Sequence, residues 1–461
     1  MKTTLFDTHR ISQLIYTSRV ISTIMGALAL IGLFMGVRLL FNNDGAALLA
    51  AFCLAVAQRF VFYCHTGNLE VASTFWFAWS FYWAVKAIMS GGRHHYILLG
   101  IFAGLLACTK DAYAVYAGGL GIGVCAGIIG IGRDGGKTWK EAIKGIVSLN
   151  VLTGAVVFWF VFALLNNILT DPIGYWDRMK YWSGSGPGVK PYTVYGQGLF
   201  PQLQLFISSC QDMYFGLGWP LFFSSLLGAG YGLVRCWWKA CFCLLPLIVF
   251  YLIVITRIRF SEPRFYIVGY VGLVTLAGAG GMAWLNWKSI PVLVRVAAVV
   301  FVLSTTFLYG LGISLELASD SRTRVREWFL KNVHRNATIG SLLRVGHGPD
   351  LYDVGFERYA YPWNPPDVAG GMTYLHMLPQ YIITSTIDWI TGNDSEPRTF
   401  QKALTGGEVH YYRQVVMFSR QYMQPARTIF SFAGQPFDRF DHAPLCPPVV
   451  VFEKVTANGP Q

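Results

Sequence analysis

The sequence predicts an all-α polytopic membrane bundle of about ten transmembrane helices, followed by a small α/β domain in water at the C-terminal end. Three observations carry this expectation. Of 461 residues, 54% are hydrophobic and only 13% are charged, against about 25% charge in an ordinary soluble domain. Apolar runs long enough to cross a hydrocarbon core about 30 Å thick recur until about residue 315. From Glu316 onward, charges, Pro and Gly return every few residues and no run is long enough to span. The chain is therefore read as a transmembrane part, 1–315, and an extramembrane domain, 316–461.

Hydropathy along the chain places spans near 20–41, 45–63, 70–89, 96–108, 113–131, 146–167, 213–234, 240–256, 265–285 and 291–315. The fourth run is short. It is read either as tilted or as joined to the fifth in a broken pair around Thr109-Lys110-Asp111. The segment 168–212 between the sixth and seventh runs is read as a long loop rich in Tyr, Trp, Gly and Pro. Beyond 316, Y-I-I-T-S-T and P-V-V-V-F-E are strand-like, and 321–334 is helical.

The formal net charge of +12 does not point to nucleic acid, because many basic residues sit in short loops between apolar runs. Most of the nine cysteines lie inside those runs and form no CxxC pair, so neither a disulfide framework nor a zinc site is indicated. Met1 to Ser18 lacks the apolar core and cleavage site of a signal peptide.

Loops rich in Lys and Arg stay in the cytoplasm. One alternate set of loops holds Lys86 and Arg93, then Arg133, Lys137, Lys140 and Lys144, then Arg235 and Lys239, then Lys288. With that set inside and an even number of spans, both termini and the C-terminal domain face outward. The outward basic residues then stand out: Lys110, several in 168–212, and Arg257, Arg259 and Arg264. Any one of them can snorkel to a headgroup. Three arginines within T-R-I-R-F-S-E-P-R-F-Y also suit a lipid phosphate, since a guanidinium fork matches phosphate oxygens. Two further outward loops interrupt apolar sequence with polar groups: C-H-T-G-N-L-E (64–70) and C-T-K-D-A-Y (108–113). Glu70 reads either as a residue favouring the dipole of the third helix or as a functional carboxylate. Lys110 beside Asp111 reads either as a local ion pair or as part of a site for a charged, lipid-linked substrate. Tyr192 and Tyr195 belong to the aromatic loop, which reads either as an interfacial belt or as a flap over a ligand.

The motif L-L-G-I-F-A-G-L-L-A-C-T-K, the polar loop with Glu70, Arg19, Y-W-S-G-S-G-P-G-V-K-P-Y, G-L-G-W-P and E-P-R-F-Y resemble the GT-C class of integral membrane glycosyltransferases. Within that class the chain is similar to the dolichyl-phosphate-mannose protein mannosyltransferase and aminoarabinose transferase superfamily. D-S-R-T-R-V-R-E-W-F and Y-I-I-T-S-T-I-D-W resemble its extracytoplasmic tail. The resemblance implies transfer of a sugar from a polyprenyl-phosphate donor to a glycan, lipid or protein acceptor at the outer side of a plasma membrane, of the bacterial inner-membrane kind. It implies Glu70 as a catalytic carboxylate and Lys110 and Arg264 as donor-phosphate ligands, to which the clustering of arginines adds Arg257 and Arg259. His65, Asn68 and Asp111 are candidate lining residues. A divalent cation occurs in the class, and no ligand set for one is visible in the sequence. The family usually opens with a further helix and a large outward loop carrying its principal carboxylate. This chain starts just before the second helix of that pattern, and L-F-D-T-H-R around Asp7 does not match the missing motif. The expectation is a truncated start, with a divergent or non-catalytic member as the other reading. A transporter or flippase of a lipid-linked or anionic substrate is the runner-up, although no internal repeat is evident.

The alternation of basic loops predicts that Lys86, Lys137 and Lys239 face the cytoplasm, while His65, Tyr192 and 316–461 face outward. Cysteine substitution and labelling with an impermeant thiol reagent checks it. Labelling of position 137 from outside intact cells would reverse the orientation.

Overall fold

A computed structural model describes residues 8–182, 194–318, 320–343, 349, 351, 354–360, 378–385, 395–418 and 449–455. The chain forms two compact units, Ile15–Leu311 and Met1–Leu14 with Gly312–Gln461. Up to residue 318 the described regular structure is helical: α1 (Thr8–Phe41), α2 (Asp44–Val56), α3 (Gln58–Cys64), α4 (Leu69–Ser90), α5 (Arg93–Thr109), α6 (Ala114–Asp134), α7 (Trp139–Lys144), α8 (Leu149–Leu165), α9 (Pro172–Trp182), α10 (Leu199–Leu217), α11 (Trp219–Arg235), α12 (Trp237–Phe250), α13 (Thr256–Ile258), α14 (Ile267–Leu285) and α15 (Val292–Ala318). Helices are the expected solution in lipid, where each backbone N–H and C=O must find its partner within its own segment.

Each of the ten apolar runs coincides with a helix or helix pair. Among the described residues, five helices are long and apolar enough to cross a membrane by length and composition, or up to eight spans if each of three bent pairs counts as one. Helices α4 and α5 fall outside that count; α5 has only 17 residues. The bends have local causes. Between α2 and α3 the helix breaks at Ala57, whose ψ of 122° is extended, and turns by 63°. Between α10 and α11, Gly218 at φ +83° turns the chain by 114°. A residue with a Cβ rarely adopts that conformation, so glycine fits the corner. The expected loop 168–212 is therefore largely helical: α9 and α10 occupy much of it, with polar residues spread along both so that neither shows a long apolar run.

Helix α14 is the centre of the first unit. The span that contains it is 72% buried, against 6% for Val292–Leu315. It packs on α2, α4, α11 and α12. Small residues allow that crowding, as in other membrane helix contacts. A Cβ at Gly272 would strike the Cys243 carbonyl of α12, and one at Gly228 of α11 would strike the Leu276 carbonyl of α14.

The second unit has a five-stranded mixed sheet: β1 (Ile339–Ser341), β2 (Tyr359–Ala360), β3 (Tyr381–Ser385), β4 (Tyr412–Phe418) and β5 (Val449–Lys454), in spatial order β2-β1-β3-β5-β4. Strand β1 is parallel to β2 and β3, while β5 is antiparallel to β3 and β4. Helices α16 (Ser321–Asn332) and α17 (Ser395–Thr405) cover its two faces. Ile383, Val449 and Val451 pack with Val325 and Phe329 on one face; Ile382, Val450 and Phe452 pack with Phe400 and Leu404 on the other. A strand buried on both faces reads as a continuous apolar run, which is why V-V-V-F does not alternate.

Because a backbone atom rather than a flexible side chain meets the added methyl, Gly272→Ala is expected to destabilise the protein by about 1–3 kcal/mol. Thermal unfolding in detergent checks this. A variant that unfolds at the wild-type temperature would show that α12 and α14 can part without cost.

Candidate active site at the Lys110–Glu70 pair

Three connections bring the polar residues together: that between α3 and α4, that between α5 and α6, and that leading into α14. Asn68 caps α4, its Oδ1 accepting from the Leu69 N–H at 2.8 Å. Glu70 therefore sits in the first turn of α4, where a carboxylate also favours the helix dipole. Its side chain is 2% exposed. A buried carboxylate needs a partner, and Lys110 supplies one, with Nζ 3.3 Å from Glu70 Oε1. Lys110 reaches it because it is the single extended residue (φ −159°, ψ 127°) between α5 and the 3-10 turn Asp111–Tyr113. Glu70 Oε2 is buried with no hydrogen-bond partner.

The third connection, Phe260–Tyr266, wraps the same cation. Lys110 Nζ lies 5.3 Å from the centre of the Tyr113 ring and 5.6 Å from that of Phe265. The Arg264 guanidinium stands 5.6 Å from the same Phe265 ring, and its Nε lies 2.7 Å from Glu262 Oε2. Two cations thus share one aromatic ring, each gaining from its quadrupole. Glu70 and Tyr63 lie within electrostatic reach of Arg264. The Tyr116 hydroxyl donates to the Phe265 carbonyl at 2.8 Å and ties this segment to α6.

Of the four outward cations expected to converge with Glu70, the structure joins Lys110 and Arg264. Arg257 is exposed on the one-turn helix α13 and makes no ion pair among the described residues. Arg259 sits in the left-handed conformation (φ +51°), and its carbonyl accepts from the Val194 and Tyr195 N–H groups at 3.1 and 3.2 Å. Among the described residues, no hydrogen bond or ion pair links either guanidinium to the Lys110–Glu70 pair. Tyr195 is thus placed at the Arg259 turn by its backbone, and Tyr192 lies outside the described residues. His65 is exposed and donates from Nδ1 to the Val61 carbonyl at 2.8 Å. Lys110 and Asp111, adjacent in sequence, do not pair with one another. Asp111 accepts instead from Arg178 of α9 at 3.1 Å, and Arg178 also donates to Asn166 Oδ1 at 2.6 Å.

Tyr63, Tyr113, Glu262 and Phe265 were not picked out from the sequence, although Tyr113, Glu262 and Phe265 stand inside the two motifs quoted above. Asp212 was missed as well. It is 1% exposed in α10 and accepts from the Ser261 hydroxyl. Its signal was an acid in S-S-C-Q-D-M-Y beside an apolar run. Among the described residues, no three His, Cys, Asp or Glu side chains are grouped to hold a metal ion. The divalent cation that the class allows therefore has no assigned ligands here.

Residues 10–123 match the family model described as dolichyl-phosphate-mannose-protein mannosyltransferase. That stretch includes His65, Asn68, Glu70, Lys110 and Asp111 and ends before Arg264. No curated protein matches the chain. Among solved structures, the oligosaccharyltransferase of Archaeoglobus fulgidus in its apo form is similar at 11% identity, over 95% of this chain and 77% of that one, with a TM-score of 0.44. ArnT from Cupriavidus metallidurans in its apo state is similar at 15% identity, over 96% and 84%, with a TM-score of 0.41. The archaeal oligosaccharyltransferase AglB from Archaeoglobus fulgidus, in complex with an inhibitory peptide and a dolichol-phosphate, gives 11%, 95%, 78% and 0.41. Over residues 10–123, the resemblance read from the motifs is thus a match to the dolichyl-phosphate-mannose-protein mannosyltransferase family.

Proposed function

We propose that the protein is an integral membrane glycosyltransferase that moves a sugar from a polyprenyl-phosphate donor to an acceptor at the extracytoplasmic face. The observation that carries this reading is the Lys110–Glu70 pair inside the family-matched stretch, with Arg264 on the same Phe265 ring. Lys110 is 32% exposed and Arg264 41%, so each keeps donors open to an incoming anion while its carboxylate partner fixes it. A phosphate between them makes charge-assisted hydrogen bonds to both.

The reaction is a displacement at the anomeric carbon. The acceptor's oxygen or nitrogen forms a bond to that carbon, the bond from carbon to phosphate oxygen breaks, and polyprenyl phosphate leaves with the electron pair. Lys110 and Arg264 neutralise the charge that grows on the departing phosphate. The acceptor's proton goes to a carboxylate, and Glu70 Oε2, the oxygen Lys110 does not engage, is the atom assigned to take it. Glu70 Oε1 holds the ammonium in place meanwhile. Arg257 and Arg259 are assigned to the approach of the donor rather than to its phosphate in the bound state.

Two predictions follow from this assignment. Lys110→Ala and Arg264→Ala should each weaken binding of polyprenyl phosphate about 10- to 150-fold, the equivalent of a charge-assisted bond of about 1.5–3 kcal/mol. Because Lys110→Ala leaves a buried carboxylate unpaired, the double variant Glu70→Gln/Lys110→Ala should regain stability without regaining lipid-phosphate binding. Unchanged binding in Lys110→Ala/Arg264→Ala would sink the site.

Glu70→Gln should lower turnover of a polyprenyl-phosphate-linked sugar about a hundredfold or more while changing lipid-phosphate binding less. A reconstituted-vesicle assay separates this reading from the transporter. Movement of the intact lipid-linked sugar across the bilayer, without sugar transfer, would favour transport.

A further inference from the structure

A second buried polar cluster lies behind the Arg264 turn. Ser209 and Asp212, three residues apart on one face of α10, meet Ser261 and Tyr266, which bracket the segment Glu262-Pro263-Arg264-Phe265. All four side chains are nearly sealed from solvent, at 1%, 1%, 2% and 0% exposure. The hydroxyl protons fix the direction of the chain of bonds. Ser261 donates to Asp212 Oδ2, so its oxygen accepts. The Tyr266 hydroxyl, 2.8 Å away, is then the donor to Ser261. Ser209 Oγ lies 2.9 Å from the Leu205 carbonyl and 3.2 Å from Ser261, and its one proton serves either. Asp212 Oδ1 remains without a hydrogen-bond partner, while Arg59 of α3 lies within electrostatic reach of the same carboxylate.

A buried polar network that leaves the Asp212 Oδ1 atom unpartnered costs stability. What it holds is both ends of the turn that carries Arg264. Proline at 263 removes one backbone donor from that turn, the 3-10 turn Pro263–Tyr266, which the Phe265 N–H enters by donating to the Glu262 carbonyl at 3.0 Å. We infer that Asp212 is a positioning residue: through Ser261 and Tyr266 it anchors the Glu262–Phe265 turn and so sets where the Arg264 guanidinium meets the donor phosphate. The inference rests on the proposed glycosyltransferase reading for the identity of the anion, but not for the anchoring itself.

The test uses the full chain in lipid nanodiscs, polyprenyl phosphate as the probe, and hydrogen exchange of the 261–266 amides as a second readout. Ser261→Ala and Asp212→Ala should weaken lipid-phosphate binding about tenfold and speed exchange across 261–266, leaving α4 and α5 unchanged. Asp212→Asn keeps a carbonyl acceptor for Ser261 and should stay near wild type in both, which a loss of fold would not allow. In an Arg264→Ala background, Ser261→Ala should cost no further binding, because the two act as one unit. Unchanged exchange in Ser261→Ala overturns the anchoring. Faster exchange with wild-type binding, where Arg264→Ala still weakens binding, overturns the positioning role. Faster exchange with Arg264→Ala itself silent upholds the anchor and removes the donor-phosphate reading instead.

Discussion

A carboxylate withdrawn from water costs free energy unless a cation or hydrogen-bond donors meet it, and Glu70 imposes that condition on its surroundings. Lys110 leaves helical geometry for one residue to meet it. That single extended residue separates α5 from α6 and turns Tyr113 under the ammonium. Phe265 closes the other side, and because its ring also receives Arg264, the segment ahead of α14 is drawn into the same electrostatic unit. The dense packing of α14 against α2, α11 and α12 then has a purpose beyond stability. It holds the start of that helix, and with it the Arg264 turn, at a fixed place relative to α4 and α5.

Much of this was legible in the sequence because the membrane makes some signals strong. Charges in apolar surroundings are rare and expensive, so C-H-T-G-N-L-E, C-T-K-D-A-Y and T-R-I-R-F-S-E-P-R-F-Y marked the three connections that converge. The strands Y-I-I-T-S and V-V-V-F-E and the helix near 321–334 were visible for the ordinary reason that a sheet buried on both faces is continuously apolar.

What was not legible depended on direction rather than composition. T-R-I-R-F-S-E-P-R-F-Y contains three arginines of equal promise, and only the backbone separates them. Arg257 is exposed on α13, Arg259 occupies a left-handed turn that spends its carbonyl on Val194 and Tyr195, and Arg264 alone, in the 3-10 turn Pro263–Tyr266, stands over the Phe265 ring. Asp212 was hidden for a similar reason. Its burial depends on the corner at Gly218, which carries α10 against the Arg264 turn, and no local pattern announces a 114° bend. Helix α4 carries Glu70, Ser73, Thr74 and Lys86, polar residues that dilute the apolar signal of the helix that bears the site's carboxylate.

The contrast between α14 and α15 bears on how the chain can vary. Their spans have mean hydropathies of 1.5 and 2.1 and would pass as equivalent runs of lipid-soluble residues. With only 6% of its most apolar window buried, the stretch Val292–Leu315 meets few side chains that could object to a change of shape, so Val, Leu, Ile and Phe are nearly interchangeable along it. The α14 span, 72% buried, meets neighbouring backbone so closely at Gly272 and Gly278 that a methyl group there would strike a carbonyl oxygen. Among relatives of this protein, drift should therefore gather in the last membrane helix while the one before it stays nearly frozen, although both answer to the same solvent.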